Sequence, residues 1–334
     1  MAISKKLRVT IKRIFWVFIP PTLVFGAGVL GLSFYMIHHF AHPLATQLYG
    51  SPHDLEIILQ KQMWSDEKWK NSDGTQSVGW FLSRGRPGPV VILSHAYGSN
   101  RSELLSLSFE LWKAGFHALV YDMRGHGESP VKWSGLGTYE ADDLLSAISY
   151  LKGMKVDGQK LIDGRIGLYG VDLGGYASIV ASSQDPMVKA VAVDSVYPDV
   201  SHFIKSRLRA FMGTNSEWSN KVVESKWTNR LTDLSVQVYL LRREDSAPAV
   251  DSVSGAHGRR FLYITAKNTG EQEAMTKDLA RRTKDEKELV EAEASRLRRL
   301  YDKAAADYDT RVVEFFRNAI PPTEKIPGYR SAAK

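Results

Sequence analysis

The chain has 334 residues, 43% hydrophobic and 24% charged, with no cysteine and a formal net charge of +7. This composition excludes a disordered tail and a disulfide scaffold, and the missing cysteine removes thiol nucleophiles, Cys-ligated zinc and iron–sulfur clusters. The basic excess does not mark a nucleic-acid partner: Lys5, Lys6, Arg8, Lys12 and Arg13 carry five of the positive charges, the remainder nets +2, and no basic stripe is interleaved with aromatics.

Residues 1–13 read as a cytoplasmic basic segment. The 24 residues Ile14–Ile37 carry no formal charge, and as a helix they would span about 36 Å, enough to cross a bilayer core of roughly 30 Å. Trp16 and Tyr35 lie near its two ends, where interfacial aromatics belong. The run exceeds the roughly 7–15 residues of a cleaved signal peptide, so an uncleaved signal-anchor is expected. Pro20 and Pro21 would kink or break the helix. No Lys or Arg occurs between Ile14 and Gln60, so the positive-inside rule places the N-terminus in the cytoplasm and the main domain outside it, periplasmic or extracellular. The bilayer is thus the first expected partner. His38, His39 and His42 read as a hydrated interfacial trio, since no acid stands near them to complete a metal site. Residues 38–77 read as a connecting segment.

From residue 78 the chain alternates apolar strands with helical stretches. Strands are expected at Val78–Leu82, Val90–Ser94, Ala118–Tyr121, Ile166–Gly170, Ala190–Val193, Val236–Leu241 and Phe261–Thr265. Helices fall at about Arg101–Ala114, Tyr139–Leu151, Leu173–Ser183 and Tyr197–Phe211, with two longer ones after Gly270. This alternation predicts an α/β domain over 78–320 with a doubly wound, mostly parallel sheet. A lid is expected at about 197–233, a charged helix at about 271–303 and a loose tail at 321–334. The charged stretch holds nine acids and nine bases; it reads as a solvated helix against the body or, in the sharper reading, as a partner-binding helix.

Three motifs stand at strand ends. Gly170-Val171-Asp172-Leu173-Gly174 has the form of the Gly-x-Ser-x-Gly elbow, with Asp172 in place of serine. Such an elbow needs glycines because the turn is sharp and the central residue strained. Ser94-His95-Ala96-Tyr97-Gly98 resembles the His-Gly-x-Gly turn that supplies an oxyanion-hole N–H, and Asp122-Met123-Arg124-Gly125-His126-Gly127-Glu128-Ser129 resembles the Asp-x-Arg-Gly-x-Gly-x-Ser turn after the following strand. On these residues the chain resembles the α/β-hydrolase superfamily, in its membrane-anchored, esterase-like branch. The resemblance implies an eight-stranded sheet, a nucleophile at position 172, an acid after the penultimate strand and a histidine after the last.

The departures from that pattern carry the functional reading. Aspartate is the nucleophile in haloalkane dehalogenases and epoxide hydrolases, where a histidine-activated water cleaves the ester it forms. Here Asp245 fills the acid position, with Asp194 as alternate, but His257 is the last histidine in the chain. After the last expected strand stand Ala266-Lys267-Asn268-Thr269-Gly270, or, if the charged stretch is an insertion, Ala294-Ser295-Arg296-Leu297. Neither offers an imidazole, and loss of a triad member costs several orders of magnitude. His95 is the one candidate for a rescuing base. Ala96 replaces a glycine beside the oxyanion turn, and Asp172 is placed to accept the backbone N–H groups of Tyr97 and Leu173 at a helix N-terminus. The sequence therefore predicts a pseudo-hydrolase acting by binding or within an envelope complex, without cofactor or metal. The alternative is an active ester, alkyl halide or epoxide hydrolase with Asp172 as nucleophile.

Overall fold

A computed structural model describes residues 5–44, 46–53, 64–211, 221, 225–240, 248–255, 258–267, 269–298 and 302–323. Asp245 and His257 fall outside them. The chain divides into two compact units, Met1–Phe40 with Ile204–Glu244, and Ala41–Phe203 with Asp245–Lys334.

The first unit contains α1 (Lys5–Ala41, to its penultimate residue), the end of α5 (Val200–Phe211) and α6 (Lys226–Leu240). The helix α1 continues through Pro20 and Pro21 without a break. Among the described residues, no helix is long and apolar enough to cross a membrane. The helix nevertheless exposes Phe15, Trp16, Phe18, Leu23 and Val24. The strand expected at Val236–Leu241 is instead the end of α6 as far as Leu240. Leu231, Leu234 and Val238 recur at i, i+3 and i+7, the period of a helix, and this outweighs the short β-prone run.

The second unit is built on an eight-stranded sheet of β1 (Trp64–Lys70), β2 (Gln76–Leu82), β3 (Gly88–Ser94), β4 (His117–Asp122), β5 (Ile162–Val171), β6 (Val188–Asp194), β7 (Arg260–Ala266) and β8 (Glu286–Ala292). The spatial order is β1-β2-β4-β3-β5-β6-β7-β8. Only the pairings of β2 with β1 and β4 are antiparallel. The central strands β3 and β4 are buried throughout, as parallel strands covered on both faces must be. On one face α2 (Leu105–Lys113) and α9 (Asp302–Ala319) bury Leu107, Leu111, Val312 and Phe316 against Val91, Leu93 and Phe116. Elsewhere α4 (Leu173–Gln184) lies against β5, α3 (Thr138–Gly153) and α7 (Ala249–Gly255), while α8 (Glu271–Arg282) follows β7.

Three expected boundaries change. The connecting segment 38–77 contains β1 and the first residues of β2. The single charged helix at 271–303 is α8, then β8, then a 3₁₀ turn at Arg296–Arg298. The strand Arg260–Ala266 is therefore next to last, and β8 is last. The charge pattern accounts for the break: pairing with β7 sets Glu286 opposite Arg260, and the two form an ion pair. Glu291 likewise pairs with Lys277 of α8, so some of the charges knit adjacent elements together while Glu273, Lys277, Asp278, Arg281 and Arg282 pair along α8 itself.

The elbow between β5 and α4 is the tightest point. A Cβ on Gly170 would lie 2.2 Å from Gly174 O, and one on Gly174 would lie 2.4 Å from Ser94 O. Backbone on both sides leaves neither clash room to relax. Gly174→Ala should cost about 3 kcal/mol of unfolding free energy, measured by urea denaturation. Gly153→Ala, at the exposed end of α3 with nothing within 4 Å of the new methyl, should leave stability unchanged or slightly raised.

Candidate functional site

Three strand ends converge on the elbow. Asp172 follows β5 with φ 53° and ψ −110° and precedes α4. A non-glycine residue at positive φ is strained, and such strain persists only where the surroundings impose it. They do so here: the Asp172 N–H donates to Asp194 O at 2.9 Å, and the Tyr176 N–H donates to Asp172 O at 3.0 Å. The carboxyl is buried. Its Oδ2 accepts the Tyr97 N–H at 3.3 Å, the amide that the oxyanion-turn resemblance singled out. Leu173, the first residue of α4, is fully buried beside it.

His95 is fully buried beside this turn. Its Nε2 accepts the Met123 N–H at 3.1 Å and its Nδ1 donates to Ala96 O at 2.7 Å. Burial holds the ring well below the usual histidine range, at about 4. Both ring nitrogens thus bond to backbone partners of the turns after β3 and β4. The His126 ring lies 5.2 Å from His95 and 5.3 Å from Tyr97, and aromatic contacts continue from Tyr97 to Phe203 and from Phe203 to Tyr197.

The third motif is structural. Asp122 accepts the backbone N–H groups of Arg101 and Glu128 at 2.8 and 2.9 Å and forms an ion pair with the Arg101 guanidinium, which stacks over Trp80. Arg124 is buried between Asp143 and Asp73. Burial raises Asp143 to about 6 despite that partner. The turn after β3 is also tied to the chain that precedes the sheet: Asn100 Nδ2 donates to Thr46 Oγ1 and to Gln47 O, both at 3.0 Å, and Thr46 Oγ1 donates to Ser99 O.

The alternate acid, Asp194, ends β6 in a fully buried network. Its Oδ2 accepts the Tyr308 hydroxyl at 2.7 Å and the Arg296 N–H at 2.8 Å, and its Oδ1 accepts the Ser195 hydroxyl at 2.8 Å. Ser195, at φ 54°, also lies 3.2 Å from Ser295 by their hydroxyl oxygens. The Arg296 guanidinium pairs with Asp309 and donates to Glu103 O. Ser295 and Arg296 follow β8, the position at which the resemblance calls for a histidine. Residues 267 and 269, which follow β7, are Lys and Thr, and Lys267 pairs with Glu293. The structure thus brings Asp172 together with Tyr97 and ties Asp194 to the loop after β8. Sequence reasoning reached that loop as the second alignment, but not Tyr308, whose signal is a buried polar tip within an apolar helix face. Among the described residues no three His, Asp or Glu side chains gather as a metal site would need.

The sequence matches the X-Pro dipeptidyl-peptidase (S15) family over residues 82–314. The chain belongs to that family. Within this S15 chain, 146 residues are 30% identical to a 31.7 kDa Escherichia coli protein of the traX–finO intergenic region, covering 41% of the chain and 48% of the relative. A thiohydrolase of Arthrinium phaeospermum is 32% identical over 129 residues, covering 37% of the chain and 40% of the enzyme. The chain spans about half the length of the curated relatives it matches. Among solved structures, an esterase of Pyrococcus furiosus superposes with TM-score 0.62 at 18% identity, over 85% of this chain and 99% of that one. That likeness establishes the α/β-hydrolase fold.

Burial raises the Asp194 carboxyl to about 6 against its hydroxyl and amide donors. The unfolded carboxyl titrates near 3.9, so the folded state holds this proton more tightly. Its contribution to stability is therefore full below about pH 4 and is lost as pH rises through about 6. Asp194→Asn should flatten the change in stability across that window, read from urea midpoints at a series of pH values.

Proposed function

We propose that this S15-family chain is a membrane-attached α/β-hydrolase-fold protein without hydrolytic turnover, acting by binding or as a subunit of an envelope complex. The observation that carries the reading is the bond from the Tyr97 N–H to the Asp172 carboxylate. An oxyanion hole works by offering such a donor to charge that develops in the transition state. Here a resident carboxylate takes the donor in the ground state. The loop after β8 supplies Ser295 and Arg296, no histidine follows His257, and His95 has both ring nitrogens engaged. A general base for either half-reaction is missing from these positions.

Membrane attachment through residues 14–37 is part of the proposal, with the N-terminus cytoplasmic and the main domain outside. Its support is the uncharged stretch, the basic cluster before it and the exposed Phe15, Trp16, Phe18 and Val24. The 271–303 region, now α8 and β8, is the proposed face toward a protein partner. A second reading, turnover with Asp172 as nucleophile, draws on the retained φ of 53°, the strained backbone of an attacking residue.

The detergent-solubilised full chain should show no turnover of aryl esters, alkyl halides, epoxides or Xaa-Pro amides above buffer, and a fluorophosphonate probe should leave it unlabelled. Turnover that Asp172→Asn abolishes would establish the second reading in place of the first. For attachment, the chain should stay with membranes through an alkaline carbonate wash; release into the supernatant would remove that part of the proposal.

A further inference from the structure

The unit formed by Met1–Phe40 and Ile204–Glu244 exposes apolar side chains on two of its helices, α1 and α6. Along α6, Trp227 is 75% exposed and Leu234 46% exposed. They stand at i and i+7, about 10 Å apart along the axis, with Lys226, Arg230 and Asp233 exposed on the same side. Residues 204–240 hold six bases and three acids, a net excess of three positive charges, whereas the chain beyond residue 13 as a whole is nearly neutral. Two bulky apolar side chains set singly among basic ones do not form a groove for a peptide. They match shallow insertion at a lipid interface, where a tryptophan ring spans the apolar and polar zones while lysine and arginine meet anionic headgroups. The same unit holds α1, with its run of exposed apolar side chains.

We propose that α6 is a second membrane contact, which seats Trp227 and Leu234 in the headgroup region of a bilayer containing anionic lipid. The inference rests on the membrane attachment proposed for residues 14–37. The occupant is lipid on grounds of charge complementarity and of membership in the same compact unit as α1.

The absence of cysteine makes a site-specific test direct, because Trp227→Cys in the full chain gives one labelling position for the fluorophore NBD. The labelled chain is reconstituted into phosphatidylcholine vesicles with and without phosphatidylglycerol, and Lys160→Cys, on an exposed hairpin of the other unit, serves as the reference. With phosphatidylglycerol the label at 227 should shift to the blue and brighten, while the label at 160 stays water-like in both. Lys226→Gln with Arg230→Gln should weaken the response on the order of tenfold. Co-flotation with a water-like label at 227 overturns this inference and leaves attachment through α1 standing. Failure of the chain to co-float overturns both. A label at 227 whose emission is the same with and without phosphatidylglycerol would also overturn the inference.

Discussion

The candidate site depends on how closely three stretches of backbone pass one another where β3 and β5 end and α4 begins. No side chain larger than hydrogen fits at Gly170 or Gly174, since each would place a Cβ within 2.4 Å of a carbonyl oxygen. That proximity forces Asp172 to positive φ and brings the turn after β3 close enough for the Tyr97 amide to reach its carboxylate. The same geometry would serve a serine equally well. What differs is the charge at its apex: a hydroxyl would leave the amide for a reacting oxygen, whereas a carboxylate draws it in at once.

A second substitution of roles occurs across the sheet. Asp194 could orient an imidazole, but its acceptor oxygens are taken by Tyr308, Ser195 and the Arg296 amide. The loop after β8 is thereby fastened from within, and Arg296 extends the fastening to Asp309 of α9 and the carbonyl of Glu103. Buried charge of this sort is tolerated when it is paired and hydrogen-bonded. The network lies after β8, the position at which the family resemblance calls for a histidine.

Much of this was legible in the sequence. The glycines about Asp172, the apolar runs of β3 to β7 and the alternation of strand with helix determine the sheet and the elbow, because buried parallel strands and sharp turns restrict residue choice severely. The Tyr97 contact followed from the same motif. The contacts of His95 did not: the sequence does not show that both of its ring nitrogens meet backbone groups. The segment 236–240 misled because β-prone residues there also fall on a helical period.

The remaining misses share a cause. The strands β1 and β8, Trp-Ser-Asp-Glu-Lys-Trp-Lys and Glu-Lys-Glu-Leu-Val-Glu-Ala, are the two borders of the sheet. A strand with a neighbour on one side only can carry charge along its length, so it lacks the apolar signature by which strands are recognised. These charges also have a use in solution. An open border presents unpaired amides and carbonyls to any extended segment that drifts by, and a greasy border would let sheets of separate molecules join end to end. Ranks of glutamate and lysine on both flanks oppose that joining, so the feature that hid these strands from a reader of the sequence also guards the folded domain against aggregation.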